Sequence, residues 1–206
     1  MSILVQRTAR AIRRAIGLDR ERRWNRQYAQ GGWEWLTALD ELAHHAVLAA
    51  YFTRIKPNGR VLDVGCGNGM FLERLTGKPY SRYVGIDFEE PVKQAAQGRA
   101  DEKTFFFAAD MNDYVPDGQF DAIVFDESIY YLWDLAQGLA RYEQYLAPDG
   151  VFLVSMHGKE TNIPRWQVID GLYHVLDAVT IENRKGVKWT VKALARPQGP
   201  GGATAA

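Results

Sequence analysis

The sequence predicts an α/β protein: a doubly wound, mostly parallel sheet of seven strands, with an antiparallel hairpin at its C-terminal edge and helices ahead of it. Three observations carry that expectation. Apolar runs at 61–64, 82–86, 104–108, 120–125 and 151–154 alternate with segments of helical spacing, the pattern of β–α units in a parallel sheet. The first run passes through a glycine turn straight into a helix. Two alternating runs, 178–184 and 187–195, meet at Lys185-Gly186 and read as an antiparallel pair.

In chain order, residues 3–16 place Val5, Ala9, Ile12 and Ile16 on one helical face, with Arg7, Arg10 and Arg14 opposite and Gly17 closing the pattern. A basic amphipathic helix of this kind can associate weakly with an anionic membrane surface or dock on a partner. Packing on its own domain is the plainer reading. Trp24, Tyr28, Gly31, Gly32 and Trp33 form an aromatic, glycine-rich lead-in. A long helix is expected from about Glu34 to Ile55, with Leu39, Leu42, Ala46 and Ala49 as its apolar stripe, ended by Pro57-Asn58-Gly59. Neighbouring helix positions point about 100° apart, so His44 and His45 are not expected to serve one site.

The stretch around which the chain is organised is 60–75. Val61, Leu62 and Val64 read as a buried strand, Gly65, Gly67 and Gly69 as a tight turn, and Met70, Phe71, Leu72 and Leu75 as the start of a helix. A strand, a turn without side chains and a helix expose backbone N–H groups to a ligand, which describes a nucleotide or cofactor cradle. A dinucleotide-binding turn needs its third glycine three residues after the second, and Met70 stands there. A P-loop needs Gly-Lys-Ser/Thr, which is missing.

Polar residues follow each later strand. Asp87 closes the second, about 20 residues after the turn, where nucleotide folds put a carboxylate on ribose hydroxyls. Pro91–Ala100 is expected to be helical. Asp110 and Met111 follow the third strand; Asp126, Glu127 and Ser128 follow the fourth. Another helix runs through Leu132, Leu135, Leu139, Tyr142 and Leu146 to Pro148-Asp149-Gly150, and Ser155-Met156-His157 follow the fifth strand. Asn162-Ile163-Pro164 opens a short helix, since proline is accepted in a first turn. In doubly wound sheets ligands lie beyond the carboxyl ends of the strands, and every one of these polar groups converges there.

Length and composition narrow the function. The chain has 206 residues, enough for one domain with a proper core, divided on the sequence into N-terminal helices (1–56), a cofactor-binding domain (57–196) and a tail (197–206). The tail, rich in Gly, Pro and Ala, is expected to be disordered. Net charge is zero, yet residues 1–26 carry eight arginines against Asp19 and Glu21, and the remainder balances that surplus. A uniformly basic nucleic-acid binder would not look like this. Arginines interrupt any apolar leader, no membrane-length run exists, and the one cysteine, Cys66, fits a reducing cytoplasm. Its place between two turn glycines asks for a small residue rather than a nucleophile or a metal ligand.

Asp63-Val64-Gly65-Cys66-Gly67-Asn68-Gly69, Gly85-Ile86-Asp87, Ala109-Asp110-Met111, Phe120–Val124 and Leu146–Gly150 together resemble the class I S-adenosylmethionine-dependent methyltransferases, in detail over residues 58–156. The resemblance implies S-adenosyl-L-methionine as cofactor, leaving as S-adenosyl-L-homocysteine. It implies that Gly65, Gly67 and Gly69 close over the methionine and ribose portion with Asp63 supporting the turn, and that Asp87 takes the ribose hydroxyls. Phe88 would cover the adenine face, Asp110 would accept the adenine amino group with Met111 on the ring, and Asp126 would border the methionine moiety. Cys66 belongs to this cofactor-binding stretch, although its position is variable in the family.

Methyl transfer from a sulfonium is an in-line displacement, for which positioning supplies most of the rate. A hydroxyl acceptor gains from a base, and the sequence offers His157 and Glu127, with no dedicated base as the third option. Trp33, Tyr130 and Tyr131 are the candidate acceptor-pocket residues. The Asn/Asp-Pro-Pro-Tyr/Phe signature of amino-methylating family members is replaced by Asp126-Glu127-Ser128-Ile129. That absence and the short chain favour a small-molecule acceptor, a sugar or secondary metabolite. Gly31-Gly32-Trp33, Ile129–Leu132 and Arg184–Val191 are similar to bacterial enzymes of surface-glycan and secondary-metabolite pathways. A macromolecular acceptor and a non-catalytic cofactor-binding partner subunit are the alternatives.

Overall fold

The structure, a computed structural model, describes residues 17–197. The basic segment 3–16 and the residues after Pro197 lie outside the described residues. Helix α1 covers 17–29, and a short 3-10 turn, Glu34–Thr37, precedes α2, Leu42–Ile55. Then come β1 (Arg60–Val64), α3 (Met70–Arg74), β2 (Arg82–Asp87), α4 (Glu89–Ala96), β3 (Thr104–Ala108) and β4 (Phe120–Asp126). After a 3-10 turn at Ile129–Tyr131 follow α5 (Leu135–Glu143), β5 (Leu146–His157), α6 (Ile163–Leu172), β6 (His174–Glu182) and β7 (Lys188–Ala195).

The seven strands form one sheet in the order β3-β2-β1-β4-β5-β7-β6. Strands β1 to β5 pair in parallel, while β7 runs antiparallel between β5 and β6, Phe152 opposite Leu194 and Val179 opposite Val191. The fold class expected from the sequence is the one observed. The order reverses between β1 and β4, so the loops after these strands diverge and open a crevice at their carboxyl ends.

Because strand side chains alternate, the sheet builds two cores. Leu62, Val64, Ile86, Ile123, Phe125 and Phe152 pack with Leu139 and Tyr142 of α5 and with Ile169 of α6. Val61, Ala122, Val124, Leu153 and Val191 pack on the other face with Leu48, Ala49 and Phe52 of α2 and with Phe71 and Leu72 of α3.

Several boundaries differ from the sequence expectation. The helix expected over 34–55 is two pieces, because Ala38 turns extended and the chain is held off the helix axis at Asp40. There the Asn183 amide donates to the Asp40 carbonyl at 3.3 Å and Lys185 pairs with its carboxylate, tying the segment to the β6–β7 turn. The buried face of α2 is His44, His45, Leu48, Ala49 and Phe52 rather than the 39/42/46/49 stripe; Leu39 is 83% exposed and Ala46 lies outward. Of the expected stripe Ala49 is buried, whereas Ala46 faces outward and the two histidines take core positions instead. Helix α4 begins two residues earlier than expected, with Pro91 in its first turn, where a missing N–H costs nothing. Ser155, Met156 and His157 are the last three residues of β5 rather than following it.

Candidate active site

The glycine turn is fastened at both sides. The N–H groups of Gly65 and Cys66 donate to the Ile86 carbonyl at 2.8 and 3.0 Å, and the Ser128 hydroxyl donates to the Val64 carbonyl at 2.5 Å. Gly65 sits at φ +77°, and a Cβ there would lie 2.6 Å from Cβ of Ser128. Gly67, at φ +54°, would bring a Cβ to 2.9 Å from the Tyr28 hydroxyl. Both positions therefore require glycine, for conformation and for space.

Beyond this turn lies a cavity of about 510 Å³, within the roughly 300–1,000 Å³ usual for small-molecule sites. Every residue singled out from the sequence for cofactor, base or acceptor contact lines it, except Gly69. Gly69 instead opens α3 at φ +86°. Asp87 accepts the Gly67 N–H at 2.9 Å and the Phe88 N–H at 2.7 Å. Burial raises its carboxyl to about 6 against the pull of those two N–H groups. Asp110 accepts the backbone N–H and the side-chain amide of Asn112 at 2.8 and 2.9 Å, which fixes its direction. The Met111 carbonyl accepts the Tyr142 hydroxyl at 2.7 Å and the Arg141 guanidinium. Burial pushes the Cys66 thiol up, leaving it neutral and inert.

Asp63 is fully buried. One oxygen accepts the Tyr83 hydroxyl at 2.6 Å and the other has no partner. Burial pushes its carboxyl up to about 8, although the Tyr83 hydrogen bond opposes this.

The pair His44 and His45 is where the structure departs furthest from the sequence expectation. His44 Nδ1 lies 3.1 Å from Asp126 Oδ1, and His45 Nδ1 hydrogen-bonds Oδ2 of the same carboxylate. The Ser155 hydroxyl reaches Oδ1 at 2.7 Å. The two adjacent histidines thus do share one partner, which corrects the expectation of separate sites. Their Cβ vectors diverge, but their rings converge to 3.9 Å between centroids and meet the two oxygens of one carboxylate. Burial alone would raise Asp126; the two imidazoles override it and hold the carboxyl well below its usual range. Burial likewise would lower His44, and Asp126 overrides that, raising it to about 10.

Glu127 has φ +54°, a left-handed conformation uncommon for a side chain of this kind. Its carboxylate accepts the His157 backbone N–H at 3.1 Å and the Tyr130 hydroxyl at 3.2 Å, with the Ser155 hydroxyl also 3.2 Å away. Burial pushes it up to about 7. The His157 ring lies 5.8 Å from the Trp189 ring with its Nδ1 unpartnered, and burial lowers its pKa.

The aromatic roof joins the expected to the unexpected. Trp33 stacks on Trp24 at 4.6 Å and on Tyr28 at 5.8 Å, and Tyr131 meets Trp24 edge-on at 5.2 Å. Arg20 donates to the Tyr131 carbonyl at 2.8 Å and lies 4.5 Å over the Trp133 ring. Sequence reasoning placed Trp33 and Tyr131 in the site but left Arg20, Trp24, Tyr28, Glu41 and His45 out. The four-residue spacing of Arg20, Trp24 and Tyr28 along one helical face was the available signal. Among the described residues, His44, His45 and Asp126 also have metal-ligand chemistry, with ligand atoms within 4.8 Å of one another. Both proximal nitrogens already face the carboxylate, and His44 lies behind the cavity wall, so the trio is a hydrogen-bonded network.

A family profile described as a methyltransferase domain matches residues 35–194. The chain is 30% identical over 121 residues to a malonyl-acyl-carrier-protein O-methyltransferase of Bacillus anthracis, which covers 57% of this chain and 45% of the relative. It spans less than half the length of this and the two further Bacillus relatives of the same name. In fold it is similar to the N-methyltransferase NodS of Bradyrhizobium japonicum in complex with S-adenosyl-L-homocysteine, with TM-score 0.73 and 19% identity over 86% of this chain and 98% of that one. It is likewise similar to the 1,6-didemethyltoxoflavin-N1-methyltransferase of Burkholderia thailandensis with both ligands bound, with TM-score 0.75 and 18% identity over 90% of each chain.

Proposed function

The chain belongs to the methyltransferase-domain family, and from that premise we propose that it is an S-adenosylmethionine-dependent enzyme that methylates a small-molecule acceptor. The observation that carries the reading is the lining of the cavity: a glycine-rich turn together with a cluster of aromatic rings.

The residues fit the cofactor. Gly65 and Gly67, both at positive φ, let the turn pass close against Ser128 and Tyr28 while lining the cavity. Asp87, oriented by two backbone N–H groups, keeps acceptor capacity for ribose hydroxyls, since a carboxylate offers about four lone-pair sites. Asp63, with one oxygen unpartnered on a carboxyl that burial raises to about 8, lines the same cavity and offers a hydrogen bond to the amino acid portion. Phe88, Met111 and Asp110 stand along the wall where the resemblance puts adenine. The cofactor supplies an electrophilic methyl group on a sulfonium.

The remaining wall belongs to the acceptor. Trp33, Tyr130 and Tyr131, with Trp24 and Tyr28, give a ring-lined surface that holds a cyclic acceptor and excludes water. Glu127 and His157 stand at this end as groups able to draw a proton. The names of the relatives and neighbours, an O-methyltransferase and two N-methyltransferases, support oxygen or nitrogen as the methylated atom. A carrier-protein-bound acceptor is the second reading, favoured by the Bacillus relative. Among the described residues no helix is long and apolar enough to cross a membrane.

The test is calorimetric titration with S-adenosylhomocysteine, followed by a screen of phenols, sugars, amines and carboxylic acids for formation of that product. Micromolar binding with turnover of one class supports the reading. No binding removes it, and binding without any turnover favours the non-catalytic partner subunit.

A further inference from the structure

His44 and His45 lie outside the cofactor residues that the resemblance implies, Asp126 is the one it would set beside the methionine moiety, and the geometry of the trio is that of an oriented base. We propose that His45 is the general base of the acceptor site, held in one tautomer by Asp126, and that the acceptor presents a hydroxyl oxygen. This rests on the methyltransferase reading and deepens it.

An ionised carboxylate only accepts hydrogen bonds, so a neutral His45 bonded to Asp126 through Nδ1 carries its hydrogen there. Nε2 then keeps its lone pair. That nitrogen is buried without a partner, in a side chain that lines the cavity. Leaving such an atom unsatisfied is costly, and an acceptor hydroxyl would satisfy it. Asp126 does not compete for the proton, because His44, His45 and Ser155 occupy both of its oxygens. His44 is fully buried behind the wall, stacked on Trp189 at 5.1 Å and 3.6 Å from Glu41. It secures the carboxylate and does not reach the acceptor; it and Asp126 are positioning residues.

The two bases offered by the sequence are less well placed. Glu127 already accepts from the Tyr130 hydroxyl and the His157 backbone N–H. No carboxylate orients the ring of His157 among the described residues. Among the described residues that line the cavity, His45 alone combines an orienting carboxylate with a vacant nitrogen, the arrangement that makes imidazole an effective base near neutral pH.

The step balances. The acceptor oxygen forms its bond to the methyl carbon as the carbon–sulfur bond breaks, its electron pair going to sulfur. The hydroxyl proton passes to His45 Nε2 and from there to water. An amine that binds unprotonated would not need this device.

The experiment is long-range 1H–15N spectroscopy of the full chain labelled at histidine, with His45 assigned by His45→Gln. Near pH 7.5 the expected state is Nδ1 protonated and Nε2 bare, and Asp126→Asn should abolish that preference. His45→Gln should bind S-adenosylhomocysteine within about twofold of wild type, while turnover of phenol, catechol and hexose probes falls about a hundredfold or more. An Nε2–H tautomer, an imidazolium persisting to pH 9, unchanged turnover in His45→Gln, or a stoichiometric divalent ion whose chelation removes activity would each overturn the assignment. If no probe turns over, the tautomer decides. Failure of the wild type to bind S-adenosylhomocysteine would sink the cofactor reading instead, whatever the tautomer.

Discussion

The Tyr83 hydroxyl donates to Asp63 across 2.6 Å inside the sheet, and it is the one hydrogen bond that carboxylate makes among the described residues. A carboxyl so placed is held neutral up to about pH 8 by burial. Its folded pKa is raised above the unfolded value, so its contribution to stability is full below about pH 4 and is lost as pH rises through about 8. Asp63→Asn keeps the hydrogen bond to Tyr83 and removes the titration. Thermal melts should show the variant gaining on wild type between pH 5 and 8.5; parallel curves would contradict the raised pKa.

Asp87 titrates in a range that cofactor binding should report. Its carboxyl, raised to about 6, accepts hydroxyl hydrogens best when ionised, so affinity for S-adenosylhomocysteine should fall as pH drops below 6. Asp87→Ala should weaken binding tenfold or more at pH 7.5, and Asp87→Asn should flatten the pH dependence. Calorimetry across pH 5–8 measures both, and an unchanged affinity would move the ribose elsewhere.

Gly65→Ala forces a Cβ to 2.6 Å from Ser128 Cβ at φ +77°. The expected cost is about 1–3 kcal/mol in urea unfolding, with cofactor binding lost as the turn shifts. Gly77→Ala, which meets no neighbour but shares the positive φ, is the control for backbone strain alone. It should lose stability and keep binding.

Trp33→Leu and Tyr131→Leu remove the aromatic roof without touching the glycine turn. Affinity for S-adenosylhomocysteine should stay within about threefold, while KM for the acceptor found in the screen rises at least tenfold. A matching fall in cofactor affinity would show that the roof serves the cofactor rather than the acceptor.

The sheet was legible because each parallel strand is a short apolar run whose polar terminus declares itself locally. The same locality revealed the glycine turn, Asp87 and Asp110. What stayed hidden depends on distance along the chain. His44 and His45 stand 82 and 81 residues from Asp126, and helical geometry argued against their cooperation because it followed Cβ directions rather than ring reach. The break before α2 was hidden for a similar reason, since its cause is a tether to Asn183 and Lys185 at the far end of the chain. Arg20, Trp24 and Tyr28 showed their helical spacing but not which surface they would cover.

Glu127 carries a consequence for how this protein could evolve or be engineered. A glycine would relax more easily into its left-handed backbone, by about 1 kcal/mol. Selection for thermal robustness alone would therefore drift toward emptying that position, dissolving the contacts to Tyr130 and His157. Glu127 thus holds the Tyr130 hydroxyl and the His157 backbone N–H from a conformation that glycine would adopt more easily, so robustness and this polar network pull the position in opposite directions.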